Sequence, residues 1–290
     1  GKELSPMAEL AEAGCKAVSN DGVPVADTEL FRRAVEYASD LHLPVIDHCE
    51  DPYMAVGAGV NEGRVSGRLG LKGQPDMAES LQVARDILLS EYLGAHIHLA
   101  HISCRRSVEL IAAAKARGAA ITAETCPHYL HFTENEVIGY NTMAKVNPPL
   151  RTMDDVSALR QAVSEGIIDI LATDHAPHAA HEKETPFDEA PCGLTGLDTA
   201  LSLTWVLVEK GALSQEDLVR LWCDRPAEIF SLPANRFQPG DPADFFLFDP
   251  AALWTVTPET LLSKGKNTPC LGLTLPGKVA AGFIGGIKVK

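Results

Sequence analysis

Short apolar runs alternate with longer stretches of helical period over most of this chain, and several of the runs stop on an aspartate or a histidine. Leu43–Cys49, His96–Ile102, Ala120–Thr125 and Ile167–Thr173 read as buried strands, and Cys15–Ser19 as a shorter one. Between them, Ser5–Ala13 is helix-like, and Thr28–Asp40 places apolar residues at 30, 31, 34, 35 and 38, with Asp27 positioned to cap it. Met77–Leu93 reads as an amphipathic helix. Ser103 is placed to cap Arg105–Arg117, which Gly118 ends, and Thr152 with Asp155 resembles a capping box for Asp154–Glu165, ended by Gly166. Further helices are expected at about 196–210 and 215–223.

Parallel strands must be joined by crossovers, and helices of this length between strands supply them. The pattern predicts an α/β protein of the (β/α)8 barrel type, in which functional groups gather at the C-terminal ends of the strands. A doubly wound sheet also fits the alternation, but the glycine-rich phosphate loop that it would carry at a strand end is not found. After Leu232 the texture changes. Pro239-Gly240-Asp241-Pro242 is a turn, Ala243–Phe248, Trp254–Thr257 and Lys278–Lys290 read as strands, and Gly285-Gly286 reads as a hairpin turn. Residues 1–232 are accordingly assigned to the barrel and 233–290 to strands of a small β domain.

Charge narrows the function classes. Lys and Arg number 25 against 39 Asp and Glu, a net charge of −14, which repels nucleic acid and anionic lipid. An anionic substrate would therefore need a local metal or arginine to draw it in. The seven cysteines are scattered with no CxxC pair, as expected of reduced thiols in a cytoplasmic enzyme. No apolar run approaches the ~18 residues of a membrane span, and no apolar leader follows Gly1. A chain that opens on Gly and on a helix-like segment is expected to be a fragment or a processed product.

Four strand-end positions carry candidate metal ligands: Asp21, His48, His101 and Asp174. Imidazole with carboxylate suits zinc, which lowers the pKa of a bound water from 15.7 toward ~7. A carboxylate beside such a water can carry its proton to a leaving nitrogen, and Asp174 is the candidate for that role. Each residue taken singly has a plainer reading, as a hydrogen-bonded core histidine, a helix cap or, for Asp21 before Gly22, a turn residue. The signal lies in the recurrence at successive strand ends. His96 and His98 alternate with their strand and are set aside.

Four blocks, Asp47-His48-Cys49-Glu50-Asp51, Lys145-Val146-Asn147-Pro148-Pro149-Leu150-Arg151, Thr173-Asp174-His175-Ala176-Pro177-His178 and Ser263-Lys264-Gly265-Lys266-Asn267-Thr268-Pro269, resemble the signature blocks of type I dihydroorotases of the amidohydrolase superfamily, in order and along the whole chain. The resemblance implies one or two zinc ions per complete subunit. It places His48 and His101 on one metal, Asp21 near both ions, and Asp174 on the other metal as general base and then acid. It implies that Asn147 and His178 contact the substrate and that the backbone around Pro191 and Gly193 helps to hold the substrate ring. The plainer readings are that Asn147 shapes the Asn-Pro-Pro turn and that 191–193 is an ordinary loop.

The family's His-x-His-x-Arg block is not present, and His96-Ile97-His98 lies on another strand and does not replace it. The resemblance therefore implies roughly strands four to eight of the barrel plus the tail of the β domain. The activity implied is the reversible cyclisation of N-carbamoyl-L-aspartate to L-dihydroorotate in pyrimidine synthesis, with a small-molecule substrate, no nucleic acid or membrane partner, and a homo-oligomeric state. The alternatives are a hydantoinase, dihydropyrimidinase or allantoinase, which use a carboxylated lysine near the Asp21 position that Lys16, five residues earlier, does not match in register, and a non-catalytic partner of aspartate transcarbamoylase.

Overall fold

The computed structural model describes residues 1–289. The chain runs β1 (Val18–Ser19), β2 (Val45–Asp47), the short pair β3 (Val60–Asn61) and β4 (Gly73–Gln74), β5 (Ile97–Leu99), β6 (Ile121–Thr125) and β7 (Ile170–Leu171), then β8 (Phe245–Thr255), β9 (Thr274–Ile284) and β10 (Ile287–Lys288). One sheet has the order β1-β2-β5-β6-β7, and every neighbouring pair in it is parallel. Sequential order with parallel pairing is the pattern of a barrel arc, and a parallel bridge between His175 and Leu194 continues it past β7. Helices Thr28–Asp40, Met77–Leu93, Arg105–Ala116 and Met153–Ser164 make the crossovers, and Leu197–Glu209 follows the last strand. Val45, Ile97, Leu99, Ile121 and Ala123 from successive strands are buried in one continuous core.

The caps explain where these helices begin. Asp27 accepts from the backbone N–H groups of Glu29 and Leu30, as expected. Thr152 and Asp155 form the expected capping box. Ser103 does not cap its helix: Cys104 holds that position without a side-chain bond, and the Ser103 hydroxyl donates to the buried Glu79 carboxylate instead. A buried carboxylate competes strongly for a nearby hydroxyl. The vacated cap is filled from another helix, where Asp155 Oδ1 accepts from the Arg105 N–H at 2.9 Å. Met77–Leu93 has the expected ends, but its buried stripe includes Glu79, Gln82, Asp86 and Ser90 while Leu88 and Tyr92 are exposed. Those polar groups have partners in the core, which is what allows them to be buried.

In the tail, β8 is one strand across Phe245–Thr255, with register shifts against β9 at Leu247/Phe248 and between Asp249 and Leu253. The bulges absorb residues that the sequence reading placed in a loop between two strands. Gly285 and Gly286, both at positive φ, turn β9 into β10 as expected. Lys290, the last residue of the strand expected over Lys278–Lys290, lies outside the described residues. The segment between β8 and β9 returns to the barrel, burying Val256, Leu261, Asn267 and Cys270. Contacts therefore cross position 232 at the very place where the strand ends converge. Of the seven cysteines none is paired, and no helix among the described residues is long and apolar enough to cross a membrane.

Candidate active site

Asp21, His48 and His101 follow the ends of β1, β2 and β5, and neighbouring parallel strands bring those ends together. His48 Nδ1 lies 2.8 Å from His101 Nε2, and Asp21 Oδ1 lies 3.7 and 3.5 Å from those two nitrogens. Both imidazoles are buried, whereas 64% of the Asp21 side chain is exposed, so the carboxylate closes the cluster from its solvent side. The neighbouring imidazoles of His101 and then His48 hold the Asp21 carboxyl well below the usual carboxylate range. Burial works against charge on His48, but the nearby carboxylates of Asp21 and Glu50 outweigh that and push its pKa up to about 9. Carboxylates on both sides of one imidazole make this a place that favours a cation.

The donor set fits a metal ion. Three ligand atoms on one tetrahedral zinc, each at ~2.0–2.1 Å, lie about 3.3 Å apart, and the observed separations bracket that value. Asp174 follows β7 outside this triangle. Burial raises its carboxyl pKa, and the charges of His101, which lowers it, and Asp21, which raises it, act on it as well. His101 and Asp174 both have positive φ, +34° and +43°, a conformation that histidine and aspartate adopt more readily than most residues.

Two residues that the sequence reading passed over complete the arrangement. Glu50 is buried and lies 3.5 Å from His48 Nε2, while accepting from Asn147 Nδ2 at 2.7 Å and Gln74 Nε2 at 3.0 Å. Its signal was available, because residues i and i+2 of an extended segment face the same way. Asn20 accepts from the His48 backbone N–H at 2.8 Å and donates to Asp47 Oδ1 at 2.5 Å, which ties the Asp21 loop to the His48 strand. Arg85 in turn holds Asp47 at 3.1 Å.

Of the expected substrate residues, Asn147 reaches the cluster directly, and His178, Pro191 and Gly193 are bonded to one another's loops. Asn147 is in the shell through Glu50 and lies 3.4 Å from His48 Nε2. His178 Nε2 bonds the Cys192 carbonyl at 2.9 Å. The Pro191 carbonyl accepts from Lys183 Nζ, the Gly193 N–H donates to the Lys145 carbonyl, and the Gly193 carbonyl accepts from Asn267 Nδ2, so these backbone groups already have partners. His96 and His98 both bond Thr122 Oγ1 at 2.7 Å and do not enter the cluster, in line with their being set aside.

A parallel barrel arc whose strand ends bring two histidines and a carboxylate together is the arrangement of a barrel-type hydrolase that works with a metal ion. The comparisons with known proteins then fix the family. Residues 1–107 match the dihydro-orotase-like family model. The dihydroorotase of Geobacter metallireducens is 49% identical over 287 residues, 99% of this chain and 68% of that protein. That of Trichlorobacter lovleyi is 47% identical over 287 residues, 99% of this chain and 67% of that protein. The chain belongs to the dihydroorotase family, and it spans about two thirds of the length of these relatives. Among solved structures, L-hydantoinase (dihydropyrimidinase) from Arthrobacter aurescens superposes with a TM-score of 0.84 at 25% identity, over 98% of this chain and 66% of that one. Dihydropyrimidinase from Brevibacillus agri NCHU1002 gives 0.83 at 24% identity, over 94% of this chain and 62% of that one.

Proposed function

We propose that the protein is a zinc-dependent dihydroorotase, interconverting N-carbamoyl-L-aspartate and L-dihydroorotate in pyrimidine synthesis. The observation that carries this reading is the convergence of His48 Nδ1, His101 Nε2 and Asp21 Oδ1 at the strand ends, in a chain close to half identical to curated dihydroorotases. When bound, zinc would acidify water and polarise the ring amide. Asp21, His48 and His101 would hold the ion, with Asp174 as a further ligand. Glu50 lies beside the His48 ring, and Asn20 holds the His48 backbone N–H. Asp174, its carboxyl pKa raised by burial, takes a proton from the attacking water and gives it to the departing ring nitrogen, and the reverse direction retraces that path. Asn147, His178 and the backbone around Pro191 and Gly193 are assigned to the substrate.

The barrel would end near 232, with the remaining strands belonging to a small β domain. The unpaired thiols fit a reducing compartment such as the cytoplasm, and a homo-oligomeric state goes with the dihydroorotase reading. A non-catalytic role beside aspartate transcarbamoylase is disfavoured, because a purely structural chain needs neither the ligand cluster nor the base.

A substrate panel on the full-length gene product with zinc decides the reading. L-Dihydroorotate carries an exocyclic carboxylate that dihydrouracil, hydantoin and allantoin lack. A site built to pair that group leaves its own polar groups unsatisfied on the other rings and should discriminate by about 10⁴-fold or more. Preference for a ring without the carboxylate would move the protein to the hydantoinase-type class.

A further inference from the structure

Lys183 ends the short helix Ala180–Lys183, five residues beyond His178, and only 2% of it is exposed. Among the described residues it forms no ion pair with a carboxylate. Its Nζ instead donates to three backbone carbonyls, Pro191 at 2.6 Å, Thr142 at 3.2 Å and Lys145 at 3.3 Å. An ammonium has three N–H donors, and here each meets one carbonyl. Burial lowers its pKa to about 8, so the charge is kept at a cost that an apolar side chain would avoid.

The three carbonyls come from the two loops that flank the candidate site. Thr142 and Lys145 lead into Asn147, and the Lys145 carbonyl also accepts from the Gly193 N–H at 3.0 Å. Pro191 leads into Cys192, whose carbonyl receives His178 Nε2, and into Gly193. Thr142 Oγ1 returns a bond to the Lys183 carbonyl at 2.6 Å. Lys145 Nζ secures the outer part of the same loop through the carbonyls of Phe187 at 2.6 Å and Asp188 at 3.2 Å. Carbonyl oxygens arranged around a monovalent charge are also how proteins ligate a dehydrated potassium ion.

We propose that Lys183 is a positioning residue that acts as a tethered monovalent cation: its ammonium draws the Thr142–Lys145 and Pro191–Gly193 segments together and so sets Asn147, His178 and Gly193 around the substrate. Removing the side chain leaves a carbonyl cage that free ammonium or potassium ions can fill. The part of this that concerns substrate rests on the dihydroorotase reading. The cage itself does not.

The test compares wild type, Lys183→Ala and Lys183→Met in ammonium, potassium or choline chloride, at about 100 mM so that a weak site is filled. Amide hydrogen exchange of residues 184–193 is read first and needs no substrate. In choline, both variants should exchange about tenfold faster there than wild type while the barrel strands stay protected. Ammonium should restore slow exchange to Lys183→Ala but not to Lys183→Met, whose stem fills the channel without a charge. On dihydroorotate, Lys183→Ala in choline should show a KM raised about tenfold with kcat within about threefold, and ammonium should lower the KM again. Wild-type exchange in Lys183→Ala, or ammonium no better than choline, overturns the proposal. So does a Lys183→Ala chain that fails to fold in all three salts, whereas folding only in ammonium or potassium supports it. If wild type itself does not act on dihydroorotate, the functional reading falls while the exchange result still decides the cage.

Discussion

His101 and Asp174 turn out of their strands at positive φ, a backbone state that costs non-glycine residues of order 1–3 kcal/mol and is often found where function needs it. The charge of His101 acts on Asp174, and burial holds the Asp174 carboxyl above its ordinary range. A base in that position is best tested by an isosteric neutral side chain. Asp174→Asn should lower kcat by about 10²–10⁴-fold and leave the thermal midpoint nearly unchanged, because the amide keeps the shape and loses the proton acceptor. Turnover near wild type with metal present would remove Asp174 from that role. Metal content measured on the same sample separates loss of the base from loss of a ligand.

Among the elements, Arg105–Ala116 and Met153–Ser164 share one capping residue. Asp155 Oδ2 accepts from the Thr152 N–H at 3.0 Å and from its hydroxyl, while Oδ1 accepts from Arg105 N–H at 2.9 Å. One carboxylate thus satisfies the starts of two packed helices and sits where both macrodipoles favour negative charge. Thr152→Ala removes a single cap and should cost about 1 kcal/mol. Asp155→Ala removes the partner on both helices and should cost about 2–3 kcal/mol if the two effects add. Urea unfolding of the two variants checks this, and equal losses would mean that the Arg105 contact contributes nothing.

At the scale of the whole molecule, a buried histidine, His128, and a partly buried one, His131, link stability to pH. His128 is fully enclosed after β6, and burial, followed by the nearby His101, lowers its pKa to about 3. His131 is lowered to about 4, first by burial and then by the charge of Arg160. Both folded values lie below that of the unfolded chain, so the unfolded state binds more protons and stability falls as pH drops below about 6.5. The loss attributable to a histidine continues until its folded pKa is reached. His128→Phe removes one such group. Between pH 7 and 4.5 wild type should therefore lose about 2–3 kcal/mol more than the variant. Denaturation curves at the two pH values give the difference directly, and parallel losses would show that His128 is not titrating in this way.

What the sequence determined by itself was the part written in short-range signals. Apolar period and crossover length gave parallel strands joined by helices, and Asp27 and the Thr152–Asp155 pair marked helix starts because a cap acts over three residues. Polar residues recurring after apolar runs pointed to Asp21, His48, His101 and Asp174, since strand ends in a parallel barrel lie on one face, and the structure brings the first three together. What only the tertiary structure decided was which side chains meet across long stretches of chain. Glu50 receives Asn147 from 97 positions away, Asn267 Oδ1 accepts from the His178 N–H across 89, and Ser103 abandons its helix for Glu79 across 24. No local pattern encodes those choices. They follow from packing, which buries a carboxylate, an amide or an ammonium and obliges it to find its partner wherever the fold has placed one.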